Sequence, residues 1–156
     1  MLGMTEYGIV ERSIVIDAPA DRILPHLTSF HSWVAWSPWE GTDPELKRTY
    51  AGTDGTVGAS YEWDGNRKAG AGTMTATSIA PDSFDVALSF TRPFRSQSLV
   101  HFALDPTGAS TKVVWTLKSP KTAMSRIFGL VMNMDKLIGN DLDKGLAQLK
   151  RVVESA

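Results

Sequence analysis

The stretch SLVHFALDPTGASTKVVWTL, residues 98–117, decides the fold of this chain. Up to Leu104, and again from Val113, successive side chains fall into two alternating sets, one mostly apolar and one more polar. This period of two is typical of strands with one buried face. Asp105-Pro106-Thr107-Gly108 separates the two runs and predicts a turn between them. The stretch therefore predicts an antiparallel hairpin.

The same alternation extends towards the N-terminus. From Leu46 to Lys118 the sequence is a series of short period-two segments separated by turn residues, which indicates an antiparallel meander of about six strands. A further strand is predicted at 7–16, because this segment is rich in β-branched residues and stops at Asp17-Ala18-Pro19. About seven strands are expected in total.

Helices are predicted on both sides of the meander. Residues 20–27 form a short or kinked helix because they contain Pro25, and the aromatic segment 30–39 forms a second short helix and a turn. From Ile127 to Val153 apolar residues recur every three or four positions, as on the buried face of one long helix. Three glycines on this helix are expected to mark kinks or close approaches to the sheet: Gly129, Gly139 and Gly145.

Composition excludes several functional classes. With 156 residues the chain is the length of one domain, 1–156, and its net charge of -1 leaves no basic face for nucleic acid. The absence of cysteine excludes disulfides, thiolate zinc sites and cysteine nucleophiles. No metal site or cofactor is predicted, because His26, His31 and His101 lack a metal-binding interval. No apolar run approaches the ~20 residues of a membrane span, so a cytoplasmic location is expected by default.

A curved sheet wrapped around a long helix can leave an apolar space in its middle. The inward strand faces and the helix stripe predict the wall of a ligand-binding site, and its residues are Tyr61, Trp63, Phe90, Phe102, Trp115, Val131, Met134 and Ile138. Trp36 and Trp39 are added as a lid or entrance, and Arg92 as a residue near the mouth. Simple core packing is the alternative for each aromatic residue. In the same way, Trp36 and Trp39 form either a lid or a plug that closes one end of the sheet. Arg92 and Arg95 are candidates for holding a ligand carboxylate.

The sequence resembles the helix-grip superfamily of START-like proteins, polyketide cyclase and aromatase relatives, and plant pathogenesis-related allergens. The resemblance rests on Ile16-Asp17-Ala18-Pro19-Ala20, on WVAWSPW at 33–39, on YAGTDGTVGASYEW at 50–63, and on the helix segment 134–150. It covers nearly the whole chain and is strongest with small bacterial polyketide cyclase-like members. The resemblance implies an α+β fold with a deep hydrophobic cavity between sheet and long helix, but it implies no single reaction.

Three functions are compatible with this sequence. The first is a noncatalytic carrier or sensor of a hydrophobic lipid, polyketide or aromatic molecule, which is favoured because no polar catalytic constellation is visible. The second is a cyclase or hydratase-like enzyme that uses the same cavity and one polar group for proton transfer. The third is an interaction module resembling chaperone activators. The oligomeric state, monomer or homodimer, is left open, and so is the identity of the ligand.

Overall fold

The computed structural model describes residues 7–92, 95–120 and 134–156. Strand β1 (Tyr7–Ile16) is followed by helix α1 (Ala20–Thr28) and a 3₁₀ helix (Phe30–Ala35). The chain ends with the described part of the long helix, α2 (Met134–Ser155). Between them lie six strands: β2 (Lys47–Ala51), β3 (Ser60–Asp64), β4 (Ala71–Ala80), β5 (Ser83–Arg92), β6 (Ser96–Thr107) and β7 (Ser110–Pro120).

The seven strands form one curved antiparallel sheet in the order β1-β7-β6-β5-β4-β3-β2. Consecutive strands from β2 to β7 are neighbours, and β1 closes the other end by pairing with β7 from Tyr7–Pro120 to Ile16–Thr111. The helix-grip prediction is therefore confirmed, including its seven strands and the two short helices after the first strand.

The turn predicted at 105–108 is wrong in position. Strand β6 continues through Pro106, which lies opposite Thr111, and the chain reverses only between Thr107 and Ser110. Pairing between β5 and β6 ends at Ala103, so β6 has a single sheet neighbour beyond that point. A proline is tolerated there because one side of the strand needs no donor.

The 3₁₀ helix is tied to the loop that follows β2. Ser29 Oγ donates a hydrogen bond to Asp54 Oδ2 at 2.5 Å, and the Phe30 N–H donates to Asp54 Oδ1 at 2.8 Å. The Trp33 indole N–H donates to the Leu27 carbonyl at 2.7 Å. These bonds fix the direction in which the short helix presents its aromatic side chains to the sheet.

Two of the predicted close approaches on the long helix are confirmed. A Cβ added at Gly139 would lie 2.0 Å from Arg12 Nη2, and one at Gly145 would lie 2.9 Å from the Trp115 ring. Only glycine lets α2 approach the sheet this closely without a shift of its neighbours. Gly129 and the part of the predicted helix before Met134 lie outside the described residues.

Candidate ligand cavity

A cavity of about 460 Å³ lies between the inner face of the sheet, the segment after the 3₁₀ helix, and α2. This volume falls within the range of small-molecule sites. Aromatic and aliphatic side chains dominate its wall. Residues that the alternation had not singled out as ligand-binding also line it, among them Phe30, Trp33, Met74, Leu88, Val100 and Leu117.

Most of the residues predicted to bind a ligand line this cavity. They come from three sources: the segment after the 3₁₀ helix, strands β3, β5 and β7, and helix α2. The residues are Trp39, Tyr61, Trp63, Phe90, Arg92, Trp115 and Ile138. Contact between these residues and a ligand stays a prediction.

Trp36 and Phe102 do not line the cavity, which differs from the prediction. Both are fully buried, and their rings pack at 6.2 Å against each other and at 5.6 and 5.0 Å against Trp115. The Trp36 indole N–H donates to the His26 carbonyl at 2.9 Å. The inward direction of Phe102 was predicted correctly, but the 3₁₀ helix fills the space in front of it with other side chains.

Trp36 and Trp39, the two tryptophans of the WSPW segment at 36–39, therefore have different positions. Trp36 belongs to the packed core, as the plug interpretation supposed, whereas Trp39 is 41% exposed and borders the cavity. Its indole N–H donates to Asp141 Oδ2 on α2 at 3.3 Å. Trp39 thus connects the loop after the 3₁₀ helix to the long helix at the cavity wall.

Two predicted residues on the long helix cannot be placed. Val131 lies outside the described residues, and the same holds for the side chain of Met134, the first described residue of α2. One turn later Ile138 is half-buried and lines the cavity together with Leu142.

Arg92 borders the cavity but already has an acidic partner. Its guanidinium forms an ion pair with Asp64 and donates to the Gly65 carbonyl at 2.8 Å. A ligand carboxylate would have to compete with Asp64 for this group. Arg95 is exposed and does not line the cavity.

The Tyr61 phenol is the buried titratable group of the cavity wall. Burial raises its pKa to about 12, and the nearby Glu40 carboxylate acts in the same direction. Glu40 is itself paired with Arg48. The Tyr61 ring stacks on Tyr50 at 5.2 Å, and burial also raises the pKa of Tyr50.

We expect Tyr61→Phe to reduce the alkaline loss of stability. The folded-state pKa of about 12 lies above the ordinary value of 10, so Tyr61 contributes stability that is complete below pH ~10 and is lost as pH rises through ~12. Urea midpoints measured between about pH 9 and 12 should fall less steeply in the variant. Part of the decrease of the urea midpoint with pH should remain, because the pKa of Tyr50 is also raised. If the decrease were as steep in the variant as in the wild type, the raised pKa of Tyr61 would be contradicted.

One polar pair in the wall was not predicted. Ser98 on β6 and Ser119 on β7 lie opposite each other, both line the cavity, and their hydroxyls form a hydrogen bond of 2.7 Å. They are 5% and 7% exposed. The signal was present in the sequence, because Ser98 begins the inward-facing run that continues with Val100, and Ser119 ends the run through Trp115 and Leu117.

The described residues offer neither a metal site nor a membrane-spanning helix. Within 7–92, 95–120 and 134–156 no three His, Asp or Glu side chains cluster so that they could hold a metal ion. No helix in these ranges is long and apolar enough to span a bilayer. His101 is exposed on the outer face of the sheet, with its Nδ1 2.5 Å from Asp85 Oδ1.

Structural comparison finds many proteins of the same fold. Norcoclaurine synthase from Thalictrum flavum, in complex with dopamine and hydroxybenzaldehyde, matches with a TM-score of 0.68 and 13% identity, over 97% of this chain and 88% of the other. An uncharacterised protein from Rhizobium leguminosarum matches with a TM-score of 0.69 and 15% identity, and the match covers 98% of each chain. The Aha1 dimer from Colwellia psychrerythraea matches with a TM-score of 0.64 and 16% identity, over 94% of this chain and 96% of the other. At these identities the likeness shows the fold alone.

Sequence comparison assigns the family. None of the curated proteins compared with the chain matches it. In contrast, the family described as "Polyketide cyclase / dehydrase and lipid transport" matches residues 8–154, which include all the residues that line the cavity. The chain therefore belongs to the polyketide cyclase / dehydrase and lipid transport family.

Proposed function

We propose that this protein binds a hydrophobic small molecule in the cavity and acts as its carrier or sensor. The observation that carries the proposal is the partly enclosed volume of about 460 Å³ with a largely aromatic and aliphatic wall. An apolar wall of this kind gains free energy when a ligand replaces water against it. The family description, which includes lipid transport, agrees with such a role.

The enzymatic alternative would depend on an acid or base that faces the cavity. Among the described residues, Glu40 and Asp141 are the carboxylates that line it. Glu40 is paired with Arg48, and Asp141 accepts the Trp39 N–H. Both carboxylates thus have a structural partner, which favours binding over proton transfer. The likeness to the Aha1 dimer concerns the fold and gives no support to a chaperone-related role.

Binding is tested with N-phenyl-naphthylamine, a neutral apolar fluorophore, and with native mass spectrometry of the purified protein. We expect the fluorophore to brighten on binding and to be displaced by fatty acids or aromatic compounds. If mass spectrometry finds no co-purified molecule and no compound of such a panel binds, the carrier proposal fails.

Leu88→Trp should weaken fluorophore binding at least about tenfold, about 1.4 kcal/mol. Leu88 lines the cavity, so the larger indole occupies ligand volume. Leu99→Trp is the matched control, because Leu99 is 54% exposed on the neighbouring strand and does not line the cavity. Thermal unfolding verifies that both variants fold. Equal affinity in the two variants would place the fluorophore outside this cavity.

A further inference from the structure

The buried polar groups of the cavity wall are incompletely satisfied. The Ser98 and Ser119 hydroxyls bond to each other, but two hydroxyls carry two donor hydrogens and their mutual bond uses one. In the described part of the chain no other side chain bonds to either hydroxyl. One O–H donor in a largely apolar wall is thus left for a ligand.

A second donor lies on the same strand. Trp115 is 1% exposed and lines the cavity, and its indole Nε1 has no hydrogen-bond partner in the described structure. The contrast with the other four tryptophans is consistent: Trp33, Trp36, Trp39 and Trp63 donate to Leu27 O, His26 O, Asp141 Oδ2 and Ala69 O. A buried N–H without an acceptor is rare in folded proteins.

The serine pair determines the kind of group that a ligand must carry. Because one hydroxyl hydrogen of the pair is not used in the mutual bond, its complement in a ligand is a hydrogen-bond acceptor. That acceptor is neutral, because none of the charged side chains that line the cavity lies on β6 or β7, where a buried carboxylate would need a counter-charge.

We propose that the cavity selects an uncharged oxygenated ligand, with a carbonyl or ether oxygen that accepts a hydrogen bond from the Ser98–Ser119 pair, over a pure hydrocarbon. The inference rests on the proposed function, since it specifies the ligand of the same cavity. Trp115 lies four residues before Ser119 on β7, roughly 13 Å along the strand. A single small group therefore cannot reach both positions, and because the Trp115 Nε1 atom is itself buried, the proposal rests on the serine pair alone.

The test uses two probes of the same shape, acetylnaphthalene and isopropenylnaphthalene, which differ by a carbonyl oxygen in place of a methylene group. The affinity ratio of ketone to hydrocarbon is measured for the wild type and for S98A/S119A. Removing both hydroxyls together leaves no orphaned partner. We expect the ratio to fall about fivefold in the double variant, the effect of one net hydrogen bond, while hydrocarbon affinity is retained.

Ser89→Ala is the matched control, since Ser89 lies on the opposite face of β5 and does not line the cavity. The affinity ratio of ketone to hydrocarbon should be the same in Ser89→Ala as in the wild type. Infrared spectra of the wild-type complex give a readout that needs no variant, because a hydrogen-bonded ketone has a lowered carbonyl stretching frequency. Suppose that both probes bind the wild type. The inference is then wrong, and the proposed function stands, if the carbonyl band of the bound ketone is unshifted or if S98A/S119A leaves the affinity ratio of ketone to hydrocarbon unchanged. Failure of both probes to bind would count against the proposed function itself.

Discussion

Replacing Trp36 by alanine is expected to lower the free energy of unfolding by about 3–5 kcal/mol. The side chain is fully buried, and its ring lies 4.5 Å from Trp33 and 5.6 Å from Trp115. Truncation removes these contacts and leaves the His26 carbonyl without its donor. Because a domain of this size is stable by only about 5–15 kcal/mol, this loss is a large part of the whole free energy of unfolding.

Trp39→Ala is the matched control for this prediction. Trp39 has the same chemistry three residues away, but it is 41% exposed and borders the cavity. Its removal should cost about 1 kcal/mol or less and should affect fluorophore binding more than stability. Denaturant unfolding of both variants decides the matter: similar losses of stability would show that Trp36 is not part of the plug that closes the core.

The strands could be predicted from sequence because each has one buried face. A shift of one residue would expose a whole row of apolar side chains, so the alternation in β3, β5, β6 and β7 predicts both the strand and its inward face. Local patterns do not contain the number of sheet neighbours. The sequence therefore predicts the end of β6 too early, near a proline that lies where β6 pairs with only one strand.

The site was harder to predict than the fold. Phe102 and Trp115 share the inward face of the sheet, yet only Trp115 borders the cavity, because the 3₁₀ helix fills the space in front of Phe102. Such filling depends on contacts between Trp33 or Trp36 and residues far away in the chain, which periodicity does not report. The ion pair between Arg92 and Asp64 could not be predicted for the same reason. It forms because β3 and β5 lie on either side of β4, which the sequence around each residue does not report.

The second large effect is expected at Gly72, where the sheet is crowded next to the cavity. A Cβ at this position would lie 2.4 Å from the Ser89 carbonyl oxygen and 2.5 Å from the Trp63 ring. The missing side chain lets Trp63 on β3 lie across β4 and meet Phe90 on β5, with ring centroids 5.5 Å apart. The register of β4 and β5 also shifts here, between Ala71 and Gly72.

Gly72→Ala should therefore lower the free energy of unfolding by about 3 kcal/mol, the upper end of typical overpacking costs, and weaken fluorophore binding. A methyl group this close to a backbone oxygen forces β4 away from β5, and it pushes the indole of Trp63 out of the cavity wall. A double-mutant cycle with Trp63→Leu separates the two causes. The cost of Gly72→Ala should decrease when the indole is absent but should not vanish, because the Ser89 carbonyl remains. Were Gly72→Ala as stable as the wild type, Trp63 and Phe90 could not be packed across β4 in the way described.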